Sequence, residues 1–413
     1  MTTLHKPVEP LEKPTQPFQW EHDAYNNDYH GSGRTGYNGL DAHCVTQNTI
    51  LPAWRTQIGK RGMYKGALAV LPDGSLLASP IDMLAKTGQS PYPTRNSSGA
   101  AWPVLLHKST DGGRSWFPIE HTPLFGKEGS LHYLDSGVML FTSESLNGVC
   151  ISEDEGLTWR AVELSCDQRQ THEFSACMRN PIFHDDGTIS MMRCNGTHVG
   201  YVDVAEGFQF ANCRACMIHS TDGGRTWTDR TEVELPWEDP YPFFCEADFL
   251  RMPDGRLLAA TRCEVRVPLK DKPVPYPAGS MPNDHSAGHM MLTESTDEGK
   301  TWSMLREFLQ YSEVHGQLTL LRDGRLLCTY ANYHLPFGIV AVVSNDYGQT
   351  WDHEHPFQLA LSLGASTGWP TTRELDDGTL ITIHALEPYS IEPPETGRTV
   401  CHTVRWQLPP KQG

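Results

Sequence analysis

The sequence of 413 residues lacks a long apolar run, since nothing in it approaches the roughly 20 residues needed to span a bilayer. Its first residues, MTTLHKPVEPLEKPTQPFQW, lack the apolar stretch of a secretory signal, so we expect a cytoplasmic protein. Positive charge is also scarce, because 33 Lys and Arg stand against 50 Asp and Glu and leave a net charge of −17. That balance argues against nucleic acid and anionic membranes as the main partners.

A cysteine framework is missing as well. The 11 cysteines are odd in number and lack regular spacing, which is typical of free thiols in a reducing compartment. Cys213 and Cys216 form the single C-x-x-C pair, and a structural zinc site would need a second ligand pair at matching spacing. We therefore predict neither a metal site nor a bound cofactor.

What the chain does contain is one octapeptide in five copies, all with the pattern S-x-D-x-G-x-[ST]-W. The copies are STDGGRSW (109–116), SEDEGLTW (152–159), STDGGRTW (220–227), STDEGKTW (295–302) and SNDYGQTW (344–351). Gly and Asp suit a tight turn in which the Asp and Ser/Thr oxygens bond nearby amides, and Trp suits an apolar layer between repeats. The motif is therefore predicted to be structural and to contact no ligand.

A second feature, two short apolar strands joined by a turn that ends in Gly, recurs six times, and five of the six precede an octapeptide. Asp-Gly between β-rich runs is a strong hairpin signal. Six such units predict an all-β protein, a six-bladed β-propeller of four-stranded antiparallel blades. The sixth unit has no octapeptide, and CVTQNTIL (44–51) is predicted to supply its outer strand. We thus expect a Pro-rich arm over 1–43, the propeller over 44–407 and a tail over 408–413.

Over residues 44–407 the chain resembles the sialidase (neuraminidase) superfamily, six-bladed propellers that carry such octapeptides as Asp-box or BNR repeats. The resemblance implies a glycosidase that acts on a carbohydrate. Sialidases bind the sugar carboxylate with three arginines and use a tyrosine nucleophile, a glutamate that activates it and an aspartate acid. CEADFLRMPDGRLLAATR is similar to the segment that carries the glutamate and an arginine, which fall on Glu246 and Arg262. Asp82, in SPIDML, is a candidate for the aspartate.

Three further positions depart from the family pattern. The first arginine falls on Lys65, the tyrosine on Trp369, and the third arginine near Phe337. A tryptophan cannot be a nucleophile, and lysine lacks the planar bidentate grip of arginine on a carboxylate. We therefore do not expect ordinary sialidase activity.

The repeats also locate a site. Counting eight residues back from each hairpin turn selects the start of each inner strand, and these six positions should surround one mouth of the central channel: Lys65, Glu128, Met178, Glu246, His315 and Trp369. Long connections at about 80–102, 194–212 and 263–288 should open on the same rim, where binding residues concentrate. The octapeptides should lie on the opposite face.

Candidate catalytic residues are the titratable members of this mouth. Glu246 would act together with Glu128 or Asp82 in a glycoside hydrolase, where one carboxyl group is the acid and the other is the base or nucleophile. His315 would be the base of a polysaccharide lyase acting on a uronate. The plainer alternatives are that Glu246 only pairs with Arg262, that the other two carboxylates are solvated loop groups, and that His315 is structural.

Candidate binding residues are Lys65, Arg262, Trp369, Arg179 and His334. Lys65 and Arg262 indicate an anionic group on the ligand, because a cationic pair in a channel is hard to explain otherwise at a net charge of −17. Trp369 would be a platform on which a sugar stacks. Three functions stay open: a hydrolase for an acidic or substituted sugar, a lyase, and a non-catalytic glycan-binding propeller.

Overall fold

The computed structural model describes residues 53–85, 88–89, 100–126, 128–143, 148–163, 179–195, 214–236, 245–263, 289–310, 313–333, 335–364, 367–388 and 399–411. Regular structure in these stretches consists of β-strands. A helix long and apolar enough to cross a membrane is not found in them. The predicted arm over 1–43 lies outside the described residues, as do most of the connections at 194–212 and 263–288.

The strands form six antiparallel blades of four strands each, and the strands of a blade are named from the innermost outward. Blade 1 contains β3 (Leu68–Val70), β4 (Leu76–Ala78), β8 (His107–Ser109) and β9 (Phe117–Pro118). Blade 2 contains β11 (Gly129–Tyr133), β12 (Met139–Ser143), β13 (Gly148–Ser152) and β14 (Arg160–Glu163). Blade 3 contains β15 (Ile182–Phe183), β16 (Ile189–Asn195), β17 (Arg214–Ser220) and β18 (Asp229–Val233).

The second half of the ring repeats the arrangement. Blade 4 contains β19 (Cys245–Arg251), β20 (Leu257–Cys263), β21 (His289–Ser295) and β22 (Arg306–Glu307). Blade 5 contains β23 (Glu313–Leu320), β24 (Leu326–Asn332), β25 (Gly338–Ser344) and β26 (Phe357–Leu361). Blade 6 contains β27 (Gly368–Glu374), β28 (Leu380–Leu386), β29 (Val400–Trp406) and β1 (Trp54–Ile58). The predicted six-bladed β-propeller is therefore confirmed.

Blade 6 closes the ring by taking its outer strand from the other end of the chain. β1 pairs antiparallel with β29, from Trp54 opposite Arg405 to Ile58 opposite Cys401. The predicted closing segment, 44–51, lies outside the described residues, and the observed closing strand follows it in the chain. The sequence WRTQI hides this role because only Ile58 of the strand is fully buried, so the strand lacks a clear apolar alternation.

A small extra sheet stands on blade 1, at the end where the inner strands begin. It contains β2 (Met63–Tyr64), β5 (Ile81–Asp82), β7 (Ala100–Val104) and β10 (Leu124–Gly126), and β6 (Gly88–Gln89) pairs with β7. The predicted long connection at 80–102 therefore contributes strands of its own.

The five octapeptides lie at the opposite end of the blades, between third and fourth strands, and make the same bonds in every copy. The Ser hydroxyl donates to one Asp oxygen, and the Gly amide donates back to the Ser oxygen. The later Ser or Thr hydroxyl donates to the second Asp oxygen. Trp159, Trp227 and Trp302 are buried, and each donates its indole N–H to the Gly carbonyl three residues back. The motif thus builds a turn and anchors it in the core.

Candidate functional site

One backbone feature recurs where the inner strands begin. Five residues have a left-handed φ there, at Lys65 (44°), Glu128 (52°), Glu246 (46°), His315 (58°) and Trp369 (55°). They are five of the six positions selected by the eight-residue count; the sixth, Met178, lies outside the described residues. The remaining non-glycine residues with positive φ in the described stretches occupy the fourth position of an octapeptide: Glu155, Glu298 and Tyr347.

In three blades this residue lies in a β-bulge. The pairing of the first two strands shifts between Cys245 and Asp248 in blade 4, between Val314 and Gln317 in blade 5, and between Gly368 and Thr371 in blade 6. A bulge changes the direction in which the following side chains point. Although a left-handed conformation costs a non-glycine residue about 1–2 kcal/mol, it recurs in five blades, so it marks a backbone position that the repeats share and that sets the direction of these side chains.

Glu246 is at the centre of the cluster and is 5% exposed. Arg262 Nη1 donates to its Oε2 at 2.8 Å, and His315 Nε2 lies 3.3 Å from the same oxygen. Burial alone would raise the pKa of this carboxyl, but Arg262, then His315 and Lys65, hold the pKa well below its usual range. The Glu246 side chain is therefore an ionised carboxylate at neutral pH.

Lys65 lies between this carboxylate and a second one. Its ammonium forms an ion pair with Glu128, and both side chains are largely buried. The same ammonium is 5.3 Å from the ring centroid of Tyr64 and 5.1 Å from that of Trp369. Since Lys65 also acts electrostatically on Glu246, the predicted positions of blades 1, 2 and 4 share one cation.

His315 is a neutral base at physiological pH. Burial lowers the pKa of its ring to about 4, although the neighbouring Glu246 opposes that shift. Its Nδ1 lies 3.3 Å from the hydroxyl oxygen of Tyr333, and that oxygen is 3.0 Å from the carbonyl oxygen of Thr367. Tyr333 was not predicted, because it follows the second strand of blade 5 and the eight-residue count examines only inner strands.

Trp369 and Arg179 cross the channel. The indole N–H of Trp369, in blade 6, donates to the carbonyl of Gly129 in blade 2 at 3.0 Å. Arg179 extends from blade 3 to donate to the carbonyl of His315 at 3.2 Å and to that of Pro370, and its guanidinium lies 4.4 Å from the Trp369 ring centroid. The prediction of a sugar-stacking platform at Trp369 differs from the structure, where the side chain is fully buried. The side chain is buried because it packs across the channel, against Gly129 and the guanidinium of Arg179.

Two other predicted residues have contacts of a different kind, and a third lies outside the described chain. Asp82, in the extra sheet, pairs with Lys60 at 2.7 Å and accepts the amides of Leu84 and Ala85, so it holds a turn. Phe337, near the position of the third arginine, is buried. His334 lies outside the described residues.

A second polar layer, which sequence reasoning missed, lies further along the inner strands. Asp248 is fully buried and accepts the amide of Leu318 at 2.6 Å; burial raises its pKa to about 7, although Arg179 opposes the shift. Burial also lowers the pKa of Arg373 to about 10 and that of His132 to about 3. Asp248 follows Glu246 by two residues, so a polar residue shortly after the counted position, in an otherwise apolar inner strand, was the available signal.

Comparison with known proteins identifies the fold. No protein-family model and no curated protein sequence matches the chain. It is similar to a protein of unknown function from Dyadobacter fermentans (16% identity, TM-score 0.59, covering 90% of this chain and 100% of that one). It is also similar to an α-L-arabinofuranosidase from Fusarium graminearum, with 14% identity, a TM-score of 0.56 and coverage of 85% of this chain and 97% of that one. An α-L-arabinanase from Penicillium chrysogenum is similar at 12% identity, with a TM-score of 0.54 and coverage of 85% of this chain and 97% of that one. At these identities the likeness shows the fold alone.

Proposed function

We propose that the protein is a glycoside hydrolase for an acidic or otherwise substituted sugar, with Glu246 and Glu128 as its two carboxylates. The observation that supports this most is a buried, ionised Glu246 held by Arg262 and His315, with Glu128 on the far side of a shared Lys65. A pair of carboxyl groups in one site is the usual equipment for glycoside hydrolysis. The similar folds of an arabinanase and an arabinofuranosidase support a carbohydrate ligand.

The two carboxylates would have different roles because their surroundings differ. Glu246 is held ionised by Arg262, which suits a base that activates water or a nucleophile that attacks the anomeric carbon. Glu128 would give its proton to the leaving oxygen. An anionic group on the ligand would attract Lys65, and a buried carboxylate that loses its cation binds a proton more readily. Binding of such a ligand would thereby prepare the acid.

An anionic ligand is supported by the local charge. Lys65, Arg179 and Arg262 bring three cations together near Glu128 and Glu246, in a chain of net charge −17, and Arg179 also faces Asp248. An anionic group on a ligand could pair with these cations.

Two further properties are proposed. The octapeptides are Asp-box repeats, and the protein is cytoplasmic. Buried free thiols support the second proposal, because they are typical of a reducing compartment; they belong to Cys150, Cys216, Cys328 and Cys401.

The test is a screen of acidic and neutral oligosaccharides for release of reducing sugar. Glu246→Gln keeps the shape and removes the charge, and should lower turnover about 10²–10⁴-fold. Glu155→Gln is the matched control, because Glu155 is also a left-handed glutamate but lies in an octapeptide at the opposite end of the blades. A Glu246→Gln variant as active as the parent would place the chemistry elsewhere.

A lyase acting on a uronate is the second candidate, favoured by the neutral imidazole of His315 beside Lys65 and Arg262. In that reaction His315 would remove a proton next to the uronate carboxylate, which the two cations would neutralise. Products with a new ultraviolet absorbance from an unsaturated sugar would indicate the lyase. Binding without either product would indicate a glycan-binding propeller.

A further inference from the structure

Tyr333 lies at the end of the second strand of blade 5 and contacts His315 on the side of the ring that faces away from Glu246. Its hydroxyl is 3.3 Å from Nδ1 of His315 and 3.0 Å from the carbonyl oxygen of Thr367. The two rings meet edge to face, with centroids 5.9 Å apart at 82°. The imidazole is thus held at both nitrogens, by Tyr333 at Nδ1 and by Glu246 at Nε2.

The number of protons limits what these bonds can be. The hydroxyl of Tyr333 has one proton, and the carbonyl of Thr367 can only accept. When His315 is neutral and Nε2–H donates to Glu246, Nδ1 is an acceptor and the hydroxyl proton can point to it. When His315 is protonated, Nδ1–H donates to the Tyr333 oxygen and the hydroxyl proton turns to Thr367. A rotation of one hydroxyl therefore satisfies both charge states of the ring.

We propose that Tyr333 is a positioning residue that keeps Nδ1 of His315 bonded in both protonation states, so that the ring gains and loses its proton at Nδ1 during turnover while its Nε2–H stays directed at Glu246. The catalytic consequence rests on the proposed function of this site, whereas the bonding does not. The charged groups that face the ring are Glu246, Lys65 and Arg262, and Arg179 donates to the His315 carbonyl. Phenylalanine at position 333 would keep the edge-to-face packing and remove only the hydroxyl.

The bonding is tested by nitrogen NMR of the imidazole rings in the whole, ligand-free protein, with the His315 signals assigned by their loss in His315→Asn. In Tyr333→Phe we expect the Nδ1 signal to move toward that of a nitrogen without a donor. We also expect the pH at which His315 protonates to fall, because the protonated ring loses its acceptor. Identical signals and titration in Tyr333→Phe and the parent would overturn the proposal.

The catalytic consequence is tested with whichever substrate the oligosaccharide screen yields. Tyr333→Phe should lower kcat about tenfold, the effect of one hydrogen bond lost from the transition state, with little change in KM. The acid limb of the pH–rate profile should move to lower pH. Tyr347→Phe, which removes an exposed tyrosine hydroxyl from an octapeptide, should match the parent. A rise in KM alone would mean that Tyr333 contacts substrate instead. If the screen finds no reaction, the proposed function fails while the NMR result still decides the bonding.

Discussion

Replacing Arg262 alone should destabilise the protein, because Glu246 would keep its buried charge without its nearest cation. Both side chains are largely buried, and Nη1 of Arg262 lies 2.8 Å from Oε2 of Glu246. Deleting one partner of a buried ion pair costs about 3–5 kcal/mol. His315 at 3.3 Å and Lys65 still face the carboxylate, so we expect Arg262→Met to cost about 3 kcal/mol, the lower end of that range.

The cost should depend on pH in a defined direction. Burial raises the pKa of Glu246 and Arg262 is the strongest of the groups that oppose it, so we expect the folded variant to bind a proton more readily than the unfolded chain. A carboxyl whose folded pKa is raised contributes stability at low pH and loses it as the pH rises through that pKa. The deficit of Arg262→Met relative to the parent should therefore be larger near pH 8 than near pH 5.

Chemical unfolding followed by tryptophan fluorescence measures the effect, with Glu246→Gln/Arg262→Met as the double variant. Removing both charges leaves neither partner unpaired. The loss of unfolding free energy in the double variant should therefore be smaller than the sum of the losses in the two single variants, by at least about 1 kcal/mol. Arg322→Met, which breaks an exposed pair with Asp376, should cost no more than about 1 kcal/mol. Strict additivity, or a deficit that grows toward acid pH, would refute the assignment of a coupled buried pair.

Three other outcomes are expected. Trp227→Ala should cost about 3–5 kcal/mol in an unfolding titration because the indole is buried, whereas Trp54→Ala, at an exposed position, should cost far less; similar losses would contradict the packing argument. The free energy of unfolding should fall as pH drops from 6.5 toward 4, because burial lowers the pKa of seven described histidines in the folded state and the unfolded chain then binds more protons. The histidines are His107, His121, His132, His219, His315, His384 and His402. Asp248, whose pKa is raised, opposes this effect by one proton, and a flat profile would contradict the prediction. Aryl sialosides should be poor substrates because Trp369 occupies the position of the sialidase nucleophile. Rapid release of the aryl group by the parent, lost in Glu246→Gln, would show that the sialidase pattern has been matched to the wrong residues of this chain.

The repeat explains why so much of the fold could be predicted. Each hairpin turn fixes the length of the strand before it, so a count of eight residues reaches the same structural position in the five blades whose counted residue is described, and the left-handed φ values mark that position. The burial of Trp369 could not be predicted, because it depends on a bond between blades 6 and 2 that no local pattern records. Tyr333 was missed for a related reason: it approaches His315 from the neighbouring strand, at a position without a repeat of its own.

The side chains of Trp369 and Arg179 join blades that are not neighbours in the ring. Trp369 bonds blade 6 to blade 2, and Arg179 bonds blade 3 to blades 5 and 6. The propeller is therefore held together by bonds across its axis as well as by the pairing of β1 with β29. A loss of either side chain would loosen blades that are far apart in the sequence.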